Sequence, residues 1–182
     1  MPKVSIVDAL PYESEQYLKA SEHMHQSAFV EIMDTQYRDY HDIFYAIPNG
    51  GGRGKVEAIN LVKEGVKAGI PDTHIPVATF FGENVIYVGF PVGNCQIRSL
   101  SLYLEFKDMK RSSGPSEKQI KKIERLRKYG NFAFVVHGWK QALCAWLYYI
   151  GRMDVAECFM VSGLNIPQQL MGDYSPNSWQ KP

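Results

Sequence analysis

The chain has 182 residues, 45% hydrophobic and 21% charged, with 20 Lys+Arg against 19 Asp+Glu for a formal net charge of +1. That size and mixture fit one ordinary globular domain, and its 15 Gly and 10 Pro follow no fixed period, which excludes a solenoid, a collagen-like array and a wholly disordered chain. Apolar runs are only a few residues long, and Lys3 and Asp8 interrupt the first ten residues, so neither membrane spanning nor secretion is expected and the expected location is the cytoplasm.

Residues 1–20 read as an N-terminal extension. Ser21 and Glu22 then open a helix, in which Met24, Ala28, Phe29, Ile32 and Met33 recur at three- and four-residue spacings to about Tyr37, while Glu22 and Gln26 share another face. Ile47 to Gly54 is a loop by composition and feeds a second helix with Val56, Ile59, Val62 and Val66 on one stripe, ended by Gly69. Extended structure begins at Ile70-Pro71-Asp72, and three strand-like runs follow, Thr73 to Phe81, Val85 to Phe90 and Ser99 to Phe106, which suggest a β-meander. After a loop from Asp108 to Pro115, Ser116 caps a helix with Ile120, Ile123, Leu126 and Tyr129 on one side and Gly130 past its end. Phe132 to Val136 reads as a buried strand and Trp139 to Tyr149 as an amphipathic helix stopped by Gly151. The C-terminal extension, 151–182, holds one short helix around Asp154 to Val161 and an irregular tail with Pro167, Pro176 and Pro182. The order is mixed α/β without dinucleotide-fold alternation.

Charge is unevenly placed. Residues 1–45 hold eight acids and three bases, whereas 107–128 hold nine bases (Lys107, Lys110, Arg111, Lys118, Lys121, Lys122, Arg125, Arg127, Lys128) and three acids. The second segment is either a solvated helix face or a patch that holds a polyanion. Cys95, Cys144 and Cys158, odd in number and never in a C-x-x-C pair, read as reduced core residues. The glycine-rich stretch is no Walker A loop, since Asn49 and Val56 stand where Gly and Ser or Thr are needed. Asn49, Gly50 and Gly51 with Arg53 and Lys55 are equally well read as a backbone-amide surface for DNA phosphates or as a connector.

Glu105-Phe106-Lys107 at a strand end is the most informative triplet. Alternation puts Glu105 and Lys107 on one face with Phe106 anchoring the other, an arrangement able to hold a divalent cation and orient water; a cross-strand ion pair is the plain alternative. Asp72 at the head of the β-region can converge with Glu105 on one metal ion. His23 and His25 point to different sides of a helix and are assigned to surface or packing, and His74 is a polar rim residue that could reach a phosphate.

Six ordered blocks extend this reading: Ser21 to Gln26, Phe44 to Gly51, Lys63 to Asp72, Leu102 to Lys107, Ser116 to Gln119, and Tyr129-Gly130 with His137-Gly138-Trp139. Together, over about residues 21–150, they resemble the VRR-NUC domain, a branch of the PD-(D/E)xK nuclease superfamily found as stand-alone phage and bacterial proteins and in the Fanconi-associated nuclease. The resemblance implies an α+β, restriction-endonuclease-like αβββαβ core with a mixed sheet flanked by helices, and Mg²⁺- or Mn²⁺-dependent endonucleolytic cleavage of DNA. For stand-alone members it implies a homodimer acting on branched DNA, as a Holliday junction resolvase does. A nuclease of flaps, nicks or single strands, or a silent DNA-binding module, are the alternatives. By the same resemblance Glu22, with Glu31 its rival, is the helix-borne acid that helps hold the metal or its water, Asp72 and Glu105 are metal ligands with the Phe106 carbonyl, Lys107 orients or activates water and offsets phosphate charge, and Gln119 supports Lys107 or a phosphate. Lys110, Arg111, Lys118, Lys121 and Arg125 are expected to track phosphates. The 32 residues between Asp72 and Glu105 exceed those of compact members, which an extra hairpin near 80–95 explains most simply as plain structure, with a DNA-contacting wing or a dimer contact as the alternatives.

Overall fold

The computed structural model describes residues 5–47, 59, 63–82, 85–89, 95–109 and 114–172. Asn49, Gly50, Gly51, Arg53, Lys55, Lys110 and Arg111 lie outside the described residues, as does most of the expected helix over 56–66.

The first long helix is the expected one, and short ones flank it: α1 (Ile6–Ala9), α2 (Glu15–Lys19), α3 (Glu22–Gln36) and α4 (Arg38–His41). Ser21 caps α3, its hydroxyl accepting from the Met24 N–H at 3.3 Å. Strands β1 (Tyr45–Ala46), β2 (Thr73–Ile75), β3 (Thr79–Phe81), β4 (Ile86–Val88), β5 (Gln96–Ser99) and β6 (Leu102–Lys107) follow, then α5 (Glu117–Lys128), β7 (Phe132–His137), α6 (Gly138–Tyr149), α7 (Val155–Ser162) and α8 (Ile166–Leu170).

Strands β1, β2, β6 and β7 form one sheet in that order, antiparallel except for the parallel β6–β7 pair joined through α5. With α3 in front, this is the expected αβββαβ order. The expected meander is not formed: β2 pairs with β6, not with β3. Of the three expected runs, Val85 to Phe90 gives the single short strand β4, while the other two are interrupted, and β5 begins ahead of the expected Ser99 start. Pro76 offers no N–H to the ladder, so the first run splits into β2 and β3, and the last splits into β5 and β6 at Leu100, whose N–H donates to the Gly130 carbonyl at 2.9 Å. The expected hairpin is a separate three-stranded antiparallel sheet, ordered β4-β3-β5. It is tied to the core by the Arg98 guanidinium, which donates to the Tyr149 carbonyl at 2.5 Å and lies 4.6 Å and 4.8 Å from the ring centroids of Tyr148 and Phe132.

Strand alternation decides the layers. Leu102, Leu104 and Phe106, with Phe134 and Val136, face α3 and α6 and meet Ala28, Phe29, Ile32, Met33, Ala142 and Trp146, all buried. Each Leu, Ile, Val, Phe or Met side chain among them contributes about 1.5–3 kcal/mol through burial. Ala133 and Val135 face the other way, onto Ile123 of α5. Both extensions enter the first core: Leu10 and Tyr17 from one end, Cys158, Leu164 and Ile166 from the other. Trp139 donates its indole N–H to the Leu10 carbonyl at 3.0 Å. The tail expected to be irregular contains α8, started by Asn165, whose side chain accepts from the Gln168 N–H, and by Pro167 in its first turn. From α8, Gln169 reaches β7: its Oε1 accepts from the Val135 N–H at 2.9 Å and its Nε2 donates to the Val135 carbonyl at 2.7 Å. Arg127 Nε donates to the Ala133 carbonyl at 2.9 Å, and Gln141 Oε1 accepts from the His137 N–H at 2.9 Å.

Cys144 and Cys158 are buried and unbridged as expected, while Cys95 is half-buried and not in the core.

Candidate active site

The second layer of the sheet, on the α5 side, ends in charge. In the β2–β6 register Thr73 faces Leu104, so one step further sets Asp72 opposite Glu105 on the α5 face. Asp72 Oδ2 accepts the Phe106 N–H at 2.8 Å, which fixes both the carboxylate and the β6 backbone. Gly69 makes this approach possible: a Cβ there would meet the Lys118 carbonyl oxygen at 2.9 Å, and its φ of +80° suits glycine, so the segment leading into Asp72 lies directly on the first turn of α5.

Glu105 is completely buried. Its Oε1 accepts from Lys107 Nζ at 2.6 Å and from Gln119 Nε2, while its Oε2 is buried with no hydrogen-bond partner. Gln119 is locked by a capping box, since its Oε1 accepts the Ser116 N–H at 2.7 Å and its own N–H donates to Ser116 Oγ at 3.4 Å. Helix start and site geometry are therefore one feature. Burial, then the neighbouring Asp72 charge, push the Glu105 carboxyl up to about 7 despite the pull of Lys107.

Lys107 is also buried. Besides Glu105 it donates to the Phe106 carbonyl at 2.9 Å and lies 3.6 Å from Glu22 Oε1. Burial works against its charge, but Glu105, Glu22 and Asp72 outweigh it and raise its pKa, so it is an ammonium at neutral pH. His137, opposite Lys107 on β7, has its Nδ1 2.9 Å from the Asp108 carbonyl, and burial pulls it down to about 4, leaving a neutral imidazole beside the ammonium.

The structure thus brings together Asp72, Glu105, Phe106, Lys107 and Gln119, with Glu22 at the rim against Lys107. Glu31, the rival helical acid, instead accepts the Ile6 N–H at 2.7 Å and anchors α1. Among the described residues no group of three or more His, Cys, Asp or Glu side chains could jointly hold a metal ion, so Glu22, Asp72 and Glu105 are not drawn into one three-carboxylate cage. A hard cation of the Mg²⁺ type does not need one, since it uses one or two carboxylates and keeps waters. The unpartnered Glu105 Oε2, the adjacent Asp72 and the Phe106 carbonyl form an all-oxygen set that fits such an ion.

Lys118, Lys121 and Arg125 are exposed on α5, Lys121 paired with Glu117 at 2.5 Å. His25, assigned to surface or packing, is fully buried against the Tyr17 ring at 4.7 Å. Sequence reasoning missed His137 as a neighbour of Lys107 and the rings around His74. A parallel β6–β7 pairing, which places His137 beside Lys107, has no signature in either strand alone.

No family model matches the sequence, and no curated protein matches it. A solved VRR_NUC domain protein is similar in structure, with a TM-score of 0.54 and 24% sequence identity over 74% of this chain and 93% of that one. The likeness shows a shared fold: a mixed sheet flanked by helices in the αβββαβ order.

Proposed function

We propose that the chain is a metal-dependent, structure-specific endodeoxyribonuclease that hydrolyses DNA phosphodiester bonds, with four-way junctions as the favoured substrate. The observation that carries the reading is Glu105: a fully buried carboxylate with one oxygen held by Lys107 and Gln119 and the other left unpartnered beside Asp72. An unpartnered buried carboxylate oxygen is costly, and a cation removes that cost. The shared fold with a VRR_NUC domain protein adds to it.

Asp72, Glu105 and the Phe106 carbonyl would hold the ion. Bound Mg²⁺ or Mn²⁺ supplies charge neutralisation at the phosphate and acidifies a bound water. Lys107, kept as an ammonium, cannot accept the water's proton, so its part is to hold water or phosphate by donation and to offset negative charge as it develops. Gln119 fixes the Glu105 oxygen that faces Lys107, and Glu22 restrains the ammonium from the opposite side. Exposed Lys118, Lys121 and Arg125 would track the phosphate backbone. Symmetric cutting of a junction needs two active centres, which a two-fold dimer supplies; exposed Phe81, Tyr87 and Ile97 of the three-stranded sheet are candidate contacts.

The test is incubation of the pure chain with Mg²⁺, Mn²⁺ or EDTA and end-labelled linear, nicked, flap and four-way DNA. Metal-dependent nicking that favours branched DNA is expected. Absence of cleavage on every substrate with both metals overturns the proposal.

A further inference from the structure

One side-chain row away from the acids, the same face of the sheet is aromatic. Tyr45 of β1 faces His74 of β2, and His74 faces Tyr103 of β6, so the three lie in a row across neighbouring strands. Asp72 and Glu105 occupy the next row, two residues along each strand, about 7 Å away. Tyr103 is anchored in the apolar cluster of Ile123, Ala133 and Val135 under α5. His74 stacks on Tyr103 with ring centroids 4.2 Å apart and planes inclined by 11°. Tyr45 stands edge-on to His74 at 5.2 Å, its hydroxyl 2.6 Å from His74 Nδ1, and is 50% exposed.

Tyr45 is therefore fixed in orientation without serving the core. It sits on a two-residue edge strand, yet the hydrogen bond and a stacked pair behind it hold the ring in place. A rigid exposed ring beside an acidic site, with the exposed Lys118, Lys121 and Arg125 of α5 on the same side of the sheet, fits a nucleic-acid strand whose base has a free face. Bases inside a continuous duplex have both faces covered by neighbours and offer nothing to such a ring.

We propose that Tyr45, backed by His74 and Tyr103, is a stacking platform for one unstacked base of the DNA strand whose phosphate lies at Asp72 and Glu105. The inference rests on the nuclease reading above and names its substrate feature: a nucleotide with an uncovered base face next to the cut, as at a branch point or flap. Tyr45 recognises the uncovered base, and the helix-borne cations hold the backbone.

Binding in EDTA, where no cleavage occurs, separates the two readings. A labelled single strand and a blunt duplex are titrated against wild type, Tyr45→Phe, Tyr45→Leu and Tyr45→Ala. Loss of one stacked base predicts a roughly five- to hundredfold weaker single-strand affinity for Tyr45→Ala and Tyr45→Leu, with Tyr45→Phe close to wild type, duplex affinity held within about twofold, and an unchanged salt slope. Wild type should also quench 2-aminopurine placed at a branch point, a readout that needs no variant. Absence of that quenching, or equal loss of single-strand and duplex binding in Tyr45→Ala, overturns the platform. Tyr45-dependent single-strand binding without cleavage in Mg²⁺ or Mn²⁺ defeats the nuclease reading and leaves the platform standing. Cleavage whose flap-to-duplex ratio is unmoved in Tyr45→Ala does the reverse.

Discussion

Replacing Glu105 by Gln keeps the volume and an acceptor for Lys107 and Gln119 while removing the charge on the unpartnered oxygen. Cleavage is expected to vanish in Glu105→Gln and in Asp72→Asn while fold and most DNA affinity persist; near-normal turnover in either would defeat the metal-site assignment. Glu105 also makes the metal-free protein sensitive to pH. Its folded pKa of about 7 lies above the ordinary 4.5, so the folded state binds more protons in between, and its contribution to stability is full below about 4.5 and lost as pH rises to about 7. The amount is on the order of 3 kcal/mol. His137 acts oppositely: a folded pKa of about 4 means stability is lost as pH falls from about 6.5. Only the difference between wild type and Glu105→Gln isolates the carboxyl, and thermal melts from pH 4 to 8 in EDTA should show that difference growing against wild type as pH rises. Lys107→Ala should lower the cleavage rate by about 10²–10³-fold with a much smaller loss of duplex affinity, as fits a charge acting on the reacting phosphate. Equal losses in both would make it a plain phosphate contact.

At the scale of elements, α5 joins two tasks. Its capping box aims Gln119 at Glu105, and its outer face presents the cations. Ser116→Ala should cost about 1 kcal/mol in stability through the lost cap, and should lower cleavage further than that because the loosened first turn lets the Ser116 N–H, which holds the Gln119 side chain, shift. Activity scaling with folded fraction alone would sever the link between cap and site. Alanine at Lys118, Lys121 and Arg125 together should reduce the salt slope of DNA binding by about three ions. Much of this was legible in the chain. The apolar spacing from Met24 to Met33 and from Ile120 to Leu126, the Ser116 and Gly130 stops, and the Glu105-x-Lys107 alternation are local signals, and local signals survived. Pairing between distant strands was not legible: nothing in Thr73 to Ile75 says that it will join Leu102 to Lys107 rather than the strand after it. The first helices were missed because four- and five-residue segments carry no period, and their hold comes from distant contacts such as Ile6 with Glu31.

For the whole molecule, assembly and the chain's two ends set the remaining expectations. A resolvase-like dimer predicts light scattering at twice the chain mass; a monomer, with and without junction DNA, that still makes paired cuts would defeat it. Exposed Ile97 and Tyr87 are where a charged substitution such as Ile97→Lys should split the dimer without unfolding the monomer. The Gln169 amide, bonded to both the N–H and the carbonyl of Val135, behaves like a ladder partner, and with Arg127 on the Ala133 carbonyl and Gln141 on the His137 N–H it occupies the middle of the outer side of β7. Addition of a further strand at this end is therefore opposed in part by the protein's own tail. Removing the chain beyond Gly163 should do more than lower stability: it should turn a partly covered edge into a template, so that refolding yields thioflavin-positive aggregates where the full chain stays soluble.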